Sequence, residues 1–272
     1  MEMSTKLPEN VRLIYEREDV AKFLATQSAD GVPNVALIVS QVPLDEERIA
    51  FGEFMMVKTK KNLLENPKFS SLCVSPKLEL GGFKGEVLEW TEKGEAIDRI
   101  NNIEFFRYNA YTGVGMAAVS SIKEILSFPP RMSYAKVLRD YLLASTISFY
   151  GGKERGGVSL PQVVKEKIDS VFSIKVVAYA GADGFPEIMP VFGIRVKGNS
   201  EVRFVPGDSK KAIIPCDLPA NIALNVLTQD LLSYQVKGEV VRIDRTLNIT
   251  SEVIKVREVY SSMPPFCGER IA

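Results

Sequence analysis

One spacing, 153 residues, constrains this chain more than any other feature of its sequence. Ala178-Tyr179-Ala180-Gly181-Ala182-Asp183-Gly184-Phe185-Pro186 repeats the pattern of Ala25 to Pro33 at that offset. Phe204 repeats Phe51, and Lys237-Gly238-Glu239-Val240 repeats Lys84-Gly85-Glu86-Val87. Pro219 answers Pro67 one residue early, and Val256-Arg257-Glu258-Val259 resembles Ile122-Lys123-Glu124-Ile125. Three anchors at one offset are hard to obtain by chance, so the chain reads as a duplication. At 272 residues each copy has the length of an ordinary domain.

The repeated unit is predicted to be β. Asp30-Gly31 between two apolar segments signals a hairpin. Apolar runs at Ile49 to Phe51 and Phe69 to Val74 read as further strands. Gly85 to Trp90 alternates in strand fashion except at Val87-Leu88. Val20 to Leu24 reads as a leading helix or its end. Ile97, Ile100 and Ile103 give residues 94–109 one apolar helical stripe, an insertion before the last strand of the first copy, Met116 to Leu126. Beyond Pro129-Pro130, Ser133 caps a predicted helix carrying Val137, Leu138, Tyr141 and Leu142, which Gly151-Gly152 breaks. Ser159 caps a second, with Pro161 inside its first turn, ending near Val171. The boundaries follow: a first module over 1–128, a helical linker over 129–170, and a second module over 171–272.

Two absences prune the chemistry. The chain has no histidine, which removes His metal triads, Ser-His-Asp triads and His-ligated haem. Its three cysteines, Cys73, Cys216 and Cys267, form no C-x-x-C pair. The 34 basic and 34 acidic residues cancel, giving no electrostatic case for nucleic acid. No apolar run reaches the roughly 20 residues of a membrane span, and the N-terminus lacks a secretory core, so no membrane partner and a cytoplasmic location are expected.

The stretch most suggestive of chemistry is Val57 to Pro67. It reads as a loop and short helix, with Thr59 as N-cap, Asn62 three residues on, and Pro67 as the stop. Lys58, Lys60 and Lys61 crowd the start of that helix, where cations oppose the macrodipole. A solvated lysine-rich turn tolerates this; a phosphate bound there would use it.

In this order Phe23-Leu24-Ala25-Thr26, Asp30-Gly31-x-Pro33-Asn34 and Lys58-Thr59-x-x-Asn62-Leu63-x-x-Asn66-Pro67 make the first half resemble the pyridoxamine 5′-phosphate oxidase-like, FMN-binding split-barrel superfamily. The repeat extends the resemblance over most of the chain. It implies a mainly β fold: two FMN-binding, six-stranded split barrels in tandem with helical additions. It implies a flavin phosphate at Lys58 and Thr59, with Asn62 as a weaker contact, and a flavin lined by the strand Val35, Ala36, Leu37 and Ile38. In the second copy Ser209, Lys210 and Lys211 are the equivalent loop, so one flavin or two is open.

The resemblance further implies an oxidoreductase acting on a small molecule, with FMN as cofactor. A deazaflavin-dependent reductase, and a non-catalytic protein that either binds flavin for storage or sensing or binds no cofactor and serves assembly, stand as alternatives. The strand arginine of pyridoxamine phosphate oxidases is replaced by Ala36 and Met189, so that substrate is not expected, and no catalytic side chain is assigned. Because such barrels work as dimers, a tandem copy suggests an intramolecular pseudo-dimer, with a further homodimer as the other possibility.

Overall fold

The computed structural model describes residues 6–107, 113–150, 154, 156–207, 218–262 and 267–272. The first copy runs α1 (Glu9–Glu16), β1 (Ala21–Gln27), β2 (Pro33–Leu37), β3 (Val42–Pro43), β4 (Arg48–Gly52), α2 (Val57–Glu65), β5 (Lys68–Val74), β6 (Leu80–Thr91), α3 (Glu95–Asn101), α4 (Glu104–Arg107) and β7 (Ala117–Ile125). After α5 (Tyr134–Tyr150) come α6 (Gln162–Asp169), β8 (Ile174–Ala180), β9 (Pro186–Pro190), β10 (Ile194–Lys197), β11 (Glu201–Phe204), β12 (Ala220–Leu227), β13 (Ser233–Thr246) and β14 (Ile249–Ser261).

Two seven-stranded sheets result, ordered β2-β1-β5-β6-β7-β4-β3 and β9-β8-β12-β13-β14-β11-β10. Replacing β1 to β7 by β8 to β14 turns the first order into the second, so the duplication is one of topology as well as of sequence. The predicted six strands become seven because the two-residue β3 and its counterpart β10 pair at the sheet edge.

The helices depart from expectation in three ways. Ala21 to Leu24 belong to strand β1 itself, and the leading helix is α1, which ends four residues before Val20. Ser159 caps nothing: Pro161 itself is the N-cap of α6 and no side chain caps that end. Pro8 holds the same place before α1, and α1 and α6 share the 153-residue offset at both ends. The helix α6 is therefore part of the repeat, while α5 is the true connection. Finally, the insertion over 94–109 forms two short helices, α3 and α4, with residues 108 and 109 outside the described ones.

The chain divides into two compact units, one of Met1–Gly31, Ala36–Met132 and Gly181–Glu187, the other of Val32–Val35, Ser133–Ala180 and Ile188–Ala272. The core of the first is aromatic, with Phe51 against Phe69 at 5.4 Å and Phe69 against Phe83 at 5.9 Å, all edge-on. That of the second is aliphatic, built on Val177, Ile222, Val236, Ile254 and Val256 around Phe204. On the outer side of β4 and β7, Ala50 and Val119 pack under Ile100 of α3 and Phe106 of α4. In the second unit α5 packs on β10, β11 and β14 instead.

The repeated Lys-Gly-Glu-Val motif marks a bulge. Pairing jumps between Lys84 and Gly85 opposite Lys123, and between Lys237 and Gly238 opposite Arg257. A Cβ on Gly85 would stand 2.6 Å from Phe69 and 3.0 Å from the Ser121 carbonyl; on Gly238 it would stand 2.5 Å from the Lys255 carbonyl. A second jump, between Val87 and Glu89, leaves Leu88 as the extra residue of β6 and explains the broken alternation there. Gly85→Ala and Gly238→Ala are each expected to cost about 1–3 kcal/mol in urea unfolding. Gly115→Ala, where a Cβ meets open space, should leave the midpoint unmoved. Equal effects at all three would remove the bulge explanation.

Candidate functional site

The helix α2 begins one turn of chain after β4 and starts at Val57, with Met56 as N-cap and no side chain capping the end. Thr59 is thus the third helical residue rather than the cap, a correction to the sequence reading. Its side chain is drawn inward because Thr59, Asn62 and Leu63 form the buried face of the helix. Asn66 stops the helix in an extended conformation, as the residue before Pro67 must. Its side-chain oxygen accepts from the Lys68 N–H at 3.2 Å.

The three lysines have different fates. Lys60 donates to both oxygens of Glu53 at 2.6 Å and lies 5.7 Å from the Trp90 ring centroid. Lys61 is exposed and faces Glu65 at 4.0 Å. Lys58 lies one helical turn before Asn62, on the same flank, and its Nζ is buried. The conflict between cations and the helix dipole is therefore relieved at Lys60 by Glu53, and Lys58 precedes Thr59 in the first turn, one turn before Asn62.

Asn62 donates from Nδ2 to Thr26 Oγ1 at 3.1 Å, tying α2 to β1. The strand β2 is the neighbour of β1 in the sheet. Of its predicted flavin-lining residues, Val35 and Ile38 are buried and Ala36 and Leu37 half-buried. Ala36 packs against the first core, and the Ile38 N–H donates to the Lys22 carbonyl at 2.8 Å. The fold thus brings Lys58, Thr59 and Asn62 onto one helix and links them through Thr26 to the strand beside Ala36 and Leu37. Ser209, Lys210 and Lys211 lie outside the described residues.

Lys22 belongs to none of the motifs above, yet the fold buries it. This side chain is 3% exposed within β1, and its Nζ donates to the Gln41 carbonyl at 3.0 Å, fixing the turn that follows β2. Burial pushes its ammonium down to about 8. Gln41 also accepts from Ser71, and Ser71 hydrogen-bonds Tyr15 at 2.6 Å. Lys175 repeats Lys22 at the 153 offset, is 2% exposed, bonds the Ser170 carbonyl and is likewise pushed down to about 8 by burial. A lysine inside an apolar strand, repeated at the same offset, was the available signal.

The residues present suit a flavin phosphate in part. The start of α2 offers backbone N–H groups without a side-chain cap, and Lys58 offers a cation beside them. Asn62, however, is committed to Thr26, and the Thr59 side chain belongs to the buried face. Among the described residues no cluster of three His, Cys, Asp or Glu side chains suits a metal ion, and no helix is long and apolar enough to cross a membrane.

No family model matches the chain. An uncharacterized protein of Methanocaldococcus jannaschii is 39% identical over 92 residues, which are 33% of this chain and 60% of that protein; the chain thus spans less than two thirds of this curated relative. Among solved structures, the chain is similar to an FMN-binding protein from Syntrophomonas wolfei, with 22% identity over 44% of this chain and 86% of that one and a TM-score of 0.37. It is similar to a putative pyridoxamine 5′-phosphate oxidase from Lactobacillus delbrueckii, with 18% identity, 46% and 96% coverage and a TM-score of 0.37. An F420 reductase gives 19%, 44% and 98%, with a TM-score of 0.36. Scores below 0.5 set no fold by themselves; the strand order does. On that order, the chain is a mainly β duplication of one seven-stranded antiparallel module.

Proposed function

We propose that the chain is a flavin-binding protein, with FMN held by its phosphate at the start of α2. The supporting observation is the uncapped helix start flanked by Lys58, on the side of α2 that Asn62 ties to β1. A phosphate carrying close to two negative charges gains from the N–H groups there and from one ammonium within reach. Lys22 positions the turn after β2, so that the backbone of Ala36 to Ile38 keeps its place beside β1. A bound flavin would supply the redox chemistry, and the polypeptide its orientation. The activity proposed is that of an oxidoreductase acting on a small molecule other than pyridoxamine phosphate, inside the cytoplasm, with the two copies pairing as an intramolecular pseudo-dimer.

The experiment compares two lysines two residues apart. Lys58→Ala is expected to weaken FMN binding roughly 10- to 100-fold, the worth of one charge-assisted bond. Lys60→Ala should leave it within about twofold, because Lys60 already serves Glu53. Titration by flavin fluorescence quenching reads both. Equal losses in the two variants, or none in Lys58→Ala, would place the phosphate elsewhere. Titration with F420 in parallel decides between FMN and a deazaflavin, and a count of flavins per chain decides whether one copy or both is loaded.

A further inference from the structure

Beside the start of α2, where Met56 and Val57 line it, the first unit contains an open-mouthed cavity of about 710 Å³, within the size range of small-molecule sites. Its walls come from the loop between β4 and α2, from the chain just beyond β6 and from the approach to β7. Neither Lys58, Thr59 nor Asn62 contributes to it. The loop is held in place: the Glu53 N–H donates to the Met116 carbonyl at 2.7 Å. Met55 takes a φ of +55°, in the left-handed region that side-chain-bearing residues seldom occupy. Such strain is stored where surrounding structure over-determines it, and here it turns a thioether outward at the cavity, 45% exposed.

The lining carries two carboxylates, Glu53 and Glu92, and one ammonium, Lys60. Lys60 is bound by both oxygens of Glu53, and Glu92 has no ion pair among the described residues. The described lining side chains therefore carry net negative charge, and the uncommitted one among them is the exposed carboxylate of Glu92. Met55, Met56 and Met116 supply soft apolar wall. Among the described side chains that line the cavity, no uncommitted cation offsets Glu92. We propose that this cavity binds a small organic cation with an apolar body, its ammonium at Glu92 and its body against Met55 and Met116. The proposal does not rest on the flavin reading: the cavity adjoins the same helix start, but Lys58, Thr59 and Asn62 do not line it.

Trp90 makes the test direct. It is the chain's single tryptophan, and Lys60, a cavity residue, lies 5.7 Å from its ring centroid. Three probes share one body and differ in charge: 2-phenylethylamine, 2-phenylethanol and 3-phenylpropionate. Titrated against the full chain at low salt, the amine is expected to give a saturable change in Trp90 fluorescence. It should bind roughly fivefold or more tightly than the other two, and added salt should shrink the preference. Glu92→Gln, an exposed change that keeps the circular dichroism spectrum, should abolish the preference; Lys58→Ala should leave it intact. The proposal is overturned if no probe saturates, if the three bind alike, if the anion binds best, or if folded Glu92→Gln retains the preference. Loss of FMN binding in Lys58→Ala with the amine preference kept separates the two sites.

Discussion

Arg203→Ala is expected to destabilise the second unit by about 3–5 kcal/mol, the cost of breaking a buried ion pair from one side. The Arg203 side chain is fully buried on β11. It lies 3.9 Å from Glu201 and 3.3 Å from Asp244, and Arg242 closes the ring at 3.3 Å from Glu201 and 3.0 Å from Asp244. Among the described residues these ion pairs join two cations to two anions. Removing Arg203 leaves two carboxylates on one guanidinium, with the Glu201 side chain only 2% exposed. The first unit solves the same position differently: Ala50 stands opposite Val119 as Arg203 stands opposite Val253, and α3 and α4 cover it with apolar side chains. The second unit lacks that insertion and keeps a charged lattice. Urea unfolding of Arg203→Ala, Glu201→Gln and the double variant measures it. The double variant should be less damaged than the sum of the singles by more than about 1 kcal/mol. Additive losses, or an Arg203→Ala cost below about 1 kcal/mol, would show that the lattice does not act as a unit.

Lys22 and Lys175 should together make stability rise between pH 8 and the ordinary lysine value of 10.5. Burial holds both ammonium groups at about 8 in the folded chain. Between that value and 10.5 the unfolded chain keeps protons that the folded chain has shed. The unfolded state then binds more protons, so stability climbs with pH, reaching its full gain above 10.5 and losing it as pH falls through 8. The difference is roughly 3 kcal/mol for each lysine. Other groups oppose it at higher pH: burial raises Cys73 and Tyr260 to about 12, so they resist the ionisation that unfolding would allow. The clean measurement is therefore the difference between the natural chain and Lys22→Met/Lys175→Met from pH 7 to 9. The variant should be more stable near pH 7, by less than the full linkage value because the bonds to the Gln41 and Ser170 carbonyls are lost. Its advantage should shrink as pH rises. A pH-independent difference would mean both ammonium groups stay charged in the fold.

The hairpin at Asp30-Gly31, the strands Arg48–Gly52 and Lys68–Val74, and the stop at Pro67 were legible because each depends on residues adjacent in sequence. Thr59 was misjudged for the complementary reason. A threonine before a helical pattern suits an N-cap, but Thr59 lies on the buried face three residues past the cap, and Met56 took the end without a side-chain cap. The strand-breaking pair Val87-Leu88 showed that something interrupts β6; that it is a bulge required knowing the partner strand, since pairing is non-local.

By itself the sequence determined that this chain is built twice from one β unit, because a fixed offset of hairpins, glycines and prolines is a local record that survives divergence. The tertiary structure alone decided how the three lysines of α2 are used. Their identical chemistry and neighbouring positions make them equivalent along the chain. Helical periodicity turns Lys60 toward Glu53, leaves Lys61 exposed beside Glu65, and sets Lys58 on the flank of Asn62. Charge acts through distance in space, and those distances exist only after the chain has folded.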